Sequence, residues 1–214
     1  MTALTTCCWA PLLLMDGVQC GHFRTGRFQS YQRILEGMPG QGGPDGFLPD
    51  GIAMAKSLGG GVPMGAFWVR EPYADLLDAG SHGTTYGGSP LACAVALKVL
   101  EVIERDKLAE NARGVGGWMK SELERMAAKY PGVIQQVRGL GLMIGIELAG
   151  KIPAFSASEK SASLQFIARL HEAGALAVPS GAQVIRLLPP LNLRAEEAAE
   201  GISIIDSVVA KLSP

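Results

Sequence analysis

The sequence predicts an α/β or mixed α+β fold, because strand-like and helix-like segments alternate along its 214 residues. Short apolar runs that end on one polar residue supply the strands, and apolar positions at helical spacing supply the helices. Hydrophobic residues make up 48% of the chain, enough for a real core, while charged residues are only 18%. The 28 glycines add many places where backbones can approach closely.

Pro11-Leu12-Leu13-Leu14-Met15, ending at Asp16, reads as a buried parallel strand that delivers an acid at its C-terminal end. Residues 36–51 are crowded with Gly and Pro and read as a loop. Ile52 to Ala55 is a second strand, ending at Lys56 and followed by Gly59-Gly60-Gly61; Pro63 to Val69 is a third. Ser89-Pro90 opens a helix, with Pro90 suited to its first turn, and apolar periodicity continues to Ile103. Charge density then rises. Helix 111–130, strands 133–137 and 142–148, helix 161–173, strands 175–179 and 184–188, and helix 195–212 follow. This division predicts two domains, 1–104 and 105–214, with the boundary inside the helical stretch near residues 90–110.

Composition removes several classes of function. Lys plus Arg is 19 against 20 for Asp plus Glu, so the chain lacks the basic footprint of a nucleic-acid binder. No apolar run reaches the roughly 18 residues of a membrane span. Met1 to Leu14 is apolar but has no Lys or Arg, unlike a signal peptide, so a cytoplasmic location is expected. Cys7, Cys8, Cys20 and Cys93 form no C-x-x-C pair and read as reduced thiols. Cys20 with His22 is the nearest approach to a metal-ligand pair, and no metal centre is expected.

Familiar motifs fail on inspection. Gly139-Leu140-Gly141 precedes a strand rather than a helix, which argues against a dinucleotide site. Lys56-Ser57 has Ala55 where a phosphate-binding loop needs Gly. His22, His82 and His171 have no G-x-S-x-G serine to serve.

A better constellation is Asp16 with Lys56, each at the end of an apolar run. Open α/β sheets bind ligands outside the carboxyl ends of their strands, so both side chains would share one crevice. His82-Gly83-Thr84-Thr85-Tyr86-Gly87-Gly88-Ser89-Pro90, rich in hydroxyls and leading into a helix, would suit a phosphate. Singly, Asp16 and Lys56 read more readily as a structural ion pair, and the Thr-rich stretch as a capped turn. Together they suit a cofactor with a basic ring nitrogen, an aldehyde and a phosphate.

The segments Leu13-Leu14-Met15-Asp16-Gly17-Val18-Gln19-Cys20-Gly21, Arg24-Thr25-Gly26, Ala55-Lys56-Ser57-Leu58-Gly59-Gly60-Gly61 and Gly83 through Ala94 resemble the class III pyridoxal-phosphate aminotransferases. Arg138-Gly139-Leu140-Gly141-Leu142 and Val184 through Leu191 extend the likeness to the C-terminus, and the members acting on N-acetylornithine are the most similar. The resemblance implies fold type I: the C-terminal part of the large cofactor domain plus a small C-terminal α+β domain. Asp16 would pair with the pyridine nitrogen, Gly17 would sit in the cofactor loop, Val18 would pack on the ring and Gln19 would reach its phenolic oxygen. Lys56 would form the Schiff base with pyridoxal 5'-phosphate and then move the substrate Cα proton. Thr85 would bind phosphate across a homodimer interface, Thr84 would lie beside the substrate, and Arg186 would lie at the substrate end. Arg186 reads equally as a salt-bridged arginine ahead of a Pro-Pro turn.

The implied reaction moves the ω-amine of N-acetylornithine to 2-oxoglutarate, as in arginine biosynthesis. Ornithine or 4-aminobutyrate transamination, or a non-catalytic remnant, are the alternatives. Two departures stand out. Gly17 replaces the acid of the family's usual Asp-Glu-Val-Gln. The likeness also begins near the family's midpoint, and Met1–Trp9 do not resemble its preceding helix. The phosphate loop, the stacking aromatic and the carboxylate-gripping arginine are therefore missing. A C-terminal part or truncated product is expected, one that alone holds cofactor poorly.

Overall fold

Two sheets, one in each part of the sequence, organise the chain. The computed structural model describes residues 11–38 and 46–213. Cys7, Cys8, the Met1–Trp9 segment and residues 39–45 of the Gly/Pro-rich loop lie outside the described residues.

The first sheet has three strands, β1 (Leu14–Asp16), β2 (Gly51–Ala55) and β3 (Gly65–Val69), in the order β1-β2-β3. β1 runs parallel to β2, with Asp16 opposite Ala53, and β2 runs antiparallel to β3, with Ala55 opposite Gly65. The parallel pairing is as predicted, but the burial is not. Leu12, Leu13 and Leu14 are 52%, 45% and 61% exposed, and Phe67 on β3 is half exposed. β1 is an edge strand here, and its apolar side chains lack a packed layer to enter. Between β1 and β2 lies a five-residue helix the sequence did not announce, α1 (Ser30–Ile34), opened by the Gln29 N–H donating to Gln32 Oε1 at 2.9 Å.

Two helices stand where the sequence places one from Pro90 to Ile103 and another over 111–130. α2 (Pro90–Arg105) starts on Ser89, whose hydroxyl accepts the Ala92 N–H. It stops before Lys107, whose φ of 52° is left-handed, and α3 (Leu108–Lys129) begins afresh. α3 buries Ala112, Gly116, Met119, Leu123 and Met126, alternately four and three residues apart, as one helix face.

That face covers the second sheet, β4 (Ile134–Leu140), β5 (Met143–Leu148), β6 (Val178–Pro179) and β7 (Val184–Leu187), in the order β4-β5-β7-β6 and antiparallel throughout. β5 alternates strictly, burying Ile144, Ile146 and Leu148. α4 (Ala162–Glu172) and α5 (Ala195–Leu212) add Phe166, Leu170, Ile205 and Val209 to the same core. The predicted strand 175–179 shrinks to two paired residues.

The β4–β5 hairpin tip joins the two parts. Gly141, at φ +56°, lies so close to the chain at Arg24 that a Cβ would stand 2.6 Å from the Arg24 carbonyl oxygen. On the other side, a Cβ on Gly116 of α3 would stand 2.2 Å from Gly141. The Leu142 N–H donates to that same Arg24 oxygen at 3.0 Å. Nearby, Arg113 of α3 donates to the Gly26 carbonyl and, at 2.7 Å, to Glu36, which Arg27 and Arg33 also hold. Burial opposes ionisation of Glu36, but hydrogen bonds from Arg27, Arg113 and Arg33 prevail and hold its carboxyl at about 2, against an ordinary 4.5. Among the described residues, no helix is long and apolar enough to cross a membrane.

Candidate functional site

Asp16 and Lys56 lie where the parallel β1–β2 pair ends. The Gly17 N–H donates to Ala53 O at 2.9 Å, which carries the pairing one step past Asp16. Lys56 comes three residues beyond Ala53, so both residues sit at the carboxyl edge of adjacent strands, as predicted. Both are exposed. Asp16 Oδ1 accepts the Val18 N–H at 3.0 Å, which folds the following loop back over the strand end.

Lys56 opens a 3-10 turn, Lys56–Gly59, with φ of 50°, a conformation uncommon for a residue with a side chain. Its amine makes no hydrogen bond or ion pair among the described residues. The alternative reading, a structural Asp16–Lys56 ion pair, is therefore not realised. α2 packs on this turn closely enough that a Cβ on Gly60 would meet Val99 at 2.6 Å.

The other predicted residues divide. Gln19 and Arg186 are brought together across 167 positions, Arg186 Nη1 donating to Gln19 Oε1 at 2.7 Å. Arg186 is therefore hydrogen-bonded rather than salt-bridged. Its Nε is buried without a partner among the described residues, as is the Thr25 hydroxyl. Beside Arg186 lies a cleft of about 340 Å³ with a mostly apolar lining that includes Leu140, Met143 and Ile144, while Arg138 and Arg186 bring positive charge to it. Those two guanidinium groups are what an anion could pair with. Thr84 and Thr85 do not join this group. Both are exposed in the turns before α2, where the Gly87 N–H donates to Thr84 O, and neither hydroxyl bonds to Asp16 or Lys56. Val18 is half-buried and Gly17 buried.

Residues that sequence reading passed over support the edge from beneath. His22 is fully buried, packs edge-on against Phe28 and bonds through Nδ1 to Ser57 Oγ at 3.0 Å. Burial pushes its pKa below the ordinary value. Gln29 is 2% exposed and occupies the space a side chain at Gly17 would need. Nothing local in the sequence signals either role, because the partners lie 35 and 12 positions away. Cys20 and His22 take separate partners: Cys20 Sγ donates to Asp16 O and lies 3.1 Å from Ser30 Oγ.

The chemistry of this edge is that of an amine unpaired among the described residues and a carboxylate at the ends of adjacent strands, with a separate, mostly apolar cleft that carries two arginines. A family model for class III aminotransferases matches residues 4–209. The chain belongs to the class III aminotransferases. It is 39% identical to the acetylornithine aminotransferase of Agrobacterium fabrum over 94% of this chain and 45% of that protein. Among solved structures, the acetylornithine aminotransferase of Elizabethkingia anophelis matches with a TM-score of 0.78 at 32% identity, over 94% of this chain and 46% of that one. An ornithine aminotransferase of Toxoplasma gondii, whose structure has partial occupancy of PLP at its active site, matches with a TM-score of 0.78 at 32% identity, over 94% and 43%. The chain thus spans about half the length of these relatives, and its architecture is that of fold type I.

Proposed function

We propose that this chain carries the lysine and aspartate of a pyridoxal 5'-phosphate-dependent aminotransferase that moves the ω-amine of N-acetylornithine to 2-oxoglutarate. One observation carries the reading: Lys56, in a left-handed turn, presents an unpartnered amine at the strand edge it shares with Asp16. The names of the curated relatives favour N-acetylornithine as donor, and the ornithine aminotransferases among the structural matches favour ornithine as the second reading.

The residues fit the cofactor. Lys56 would hold its aldehyde carbon and Asp16 its ring nitrogen, while Gly17, Val18 and Gln19 would line the ring. When bound, the cofactor supplies a sink for the electron pair left at substrate Cα. Asp16 holds a proton on the ring nitrogen through a charge-assisted bond. Lys56 moves the proton at substrate Cα. Arg186, which lines the cleft with Arg138, would orient the substrate carboxylate, and Thr84 would lie beside the substrate. Thr85, exposed and with its hydroxyl bonded to neither Asp16 nor Lys56, would bind phosphate from a second copy in a homodimer.

Incubation with pyridoxal 5'-phosphate, borohydride reduction and peptide mapping should place the pyridoxyl group on Lys56. Labelling at Lys107 or Lys120 instead would sink the assignment. Amino-group transfer assayed side by side with N-acetylornithine, ornithine and 4-aminobutyrate then decides the donor.

A further inference from the structure

We infer that His22 is a positioning residue for Lys56, acting through its hydrogen bond to Ser57. The inference rests on the reading of Lys56 as the cofactor-bearing residue.

Lys56 stands at φ 50°, a region uncommon for a residue with a side chain, so what holds the turn there matters. Upstream, the pairing of Ala55 with Gly65 fixes the chain. Downstream, the Gly60 N–H donates to Ser57 O at a long 3.3 Å, a weak tie for the turn. The side chain of Ser57 is held more firmly, at 3.0 Å from His22 Nδ1.

His22 is itself well anchored. It is fully buried, its N–H donates to Phe28 O at 2.6 Å, and its ring meets Phe28 edge-on at 5.6 Å. Its φ of 54° shows that the loop is shaped to bring this ring inward. Because Nε2 is buried without a partner, the fitting tautomer is neutral, with Nδ1–H donating to Ser57 Oγ and a bare lone pair on Nε2. The bond ties the loop after Asp16 to the turn after Asp16's partner strand. Beyond the β1–β2 pairing, this part-buried contact is a second tie between the segments that follow Asp16 and Lys56.

Three substitutions separate the bond from the backbone. His22→Gly suits the positive φ but removes the bond; Ser57→Ala removes the bond from the other side; His22→Asn tolerates the same φ and places an amide donor near the Nδ1 position. Two readouts are taken on the full chain: amide hydrogen exchange at Gly60, and borohydride-fixed pyridoxyl labelling of Lys56 relative to Lys107. His22→Gly and Ser57→Ala should each speed Gly60 exchange and lower relative Lys56 labelling by about threefold or more. The double variant should match either single one, and His22→Asn should recover most of both effects. Additive effects, unchanged exchange and labelling, or His22→Asn no better than His22→Gly would each overturn the inference. If the unaltered chain labels elsewhere than Lys56 while the exchange pattern holds, the brace stands and the cofactor reading falls.

Discussion

Asp16 is exposed at the strand end with one oxygen committed to the Val18 N–H, which leaves the carboxylate able to accept a second donor. Asp16→Asn should keep pyridoxyl labelling of Lys56 within about twofold, because the aldehyde contact is untouched. If Asp16 has the proposed role, transfer from the amino donor should fall about tenfold or more, since a charge-assisted bond of about 1.5–3 kcal/mol would be lost from the ring nitrogen. Equal rates in the half-reaction would refute this role. Beside it, Gly17 and Gln29 form a matched pair. A Cβ at Gly17 would stand 2.3 Å from Gln29 Oε1 and 3.0 Å from Ala53 O. Gly17→Ala should therefore cost about 1–2 kcal/mol in denaturant unfolding, as overpacking does. Most of that cost should vanish when Gln29→Ala is already present, and the cycle of single and double variants measures it.

Among the elements, the β4–β5 hairpin and α3 do the joining. Gly141→Ala places a side chain at a positive φ and against the Arg24 carbonyl, neither of which can yield cheaply. A loss of about 2 kcal/mol or more is expected, with the exchange of the Leu142 amide accelerated. The Glu36 cluster makes a second tie, since Arg113 comes from α3 and Arg27 and Arg33 from the loop and α1. Its pH dependence has a definite sign. The folded pKa is depressed, so its contribution is fully present above about 4.5 and is lost as pH falls toward about 2. Glu36→Gln should lower stability at neutral pH by about 1–2 kcal/mol, the arginines being partly solvated. It should also flatten the unfolding curve across that acid window; an unchanged slope would remove the cluster from the account.

At the scale of the whole molecule the two sheets are unequally supported. The buried cluster runs from Ala112 to Leu212 and closes around the second sheet. The first sheet buries Ile52 and the turn after β2 buries Leu58, but Leu12, Leu13, Leu14 and Phe67 stay half open, and α2 exposes Leu91 and Leu97. Exposed apolar area of this kind contributes nothing to stability until something covers it. Limited trypsin digestion should therefore cut at the α2–α3 junction around Arg105 and Lys107. A resistant piece beginning near Leu108 should accumulate, as the proposed division at 104/105 requires. Uniform resistance, or first cleavage inside the second sheet, would contradict it.

Much of this protein was legible in one dimension. The α3, β5 and α5 segments follow from apolar spacing alone, because each buries one face against one core and needs no distant partner to choose that face. Ser89-Pro90 and Gly60 mark helix and turn ends by local stereochemistry. The place of Asp16 and Lys56 at the sheet edge was legible because an acid or a lysine ending an apolar run is a local pattern with a global meaning, the carboxyl end of a parallel strand pair. What the sequence could not decide was whatever depends on pairs far apart along the chain. The exposure of Leu14 depends on which strands flank β1. Gln19 with Arg186, Gly17 with Gln29, and His22 with Ser57 are single contacts made across long stretches of chain, and no periodicity encodes them. Only the tertiary fold brings such groups within reach, since the energy of each contact exists only after the chain between its ends has been ordered.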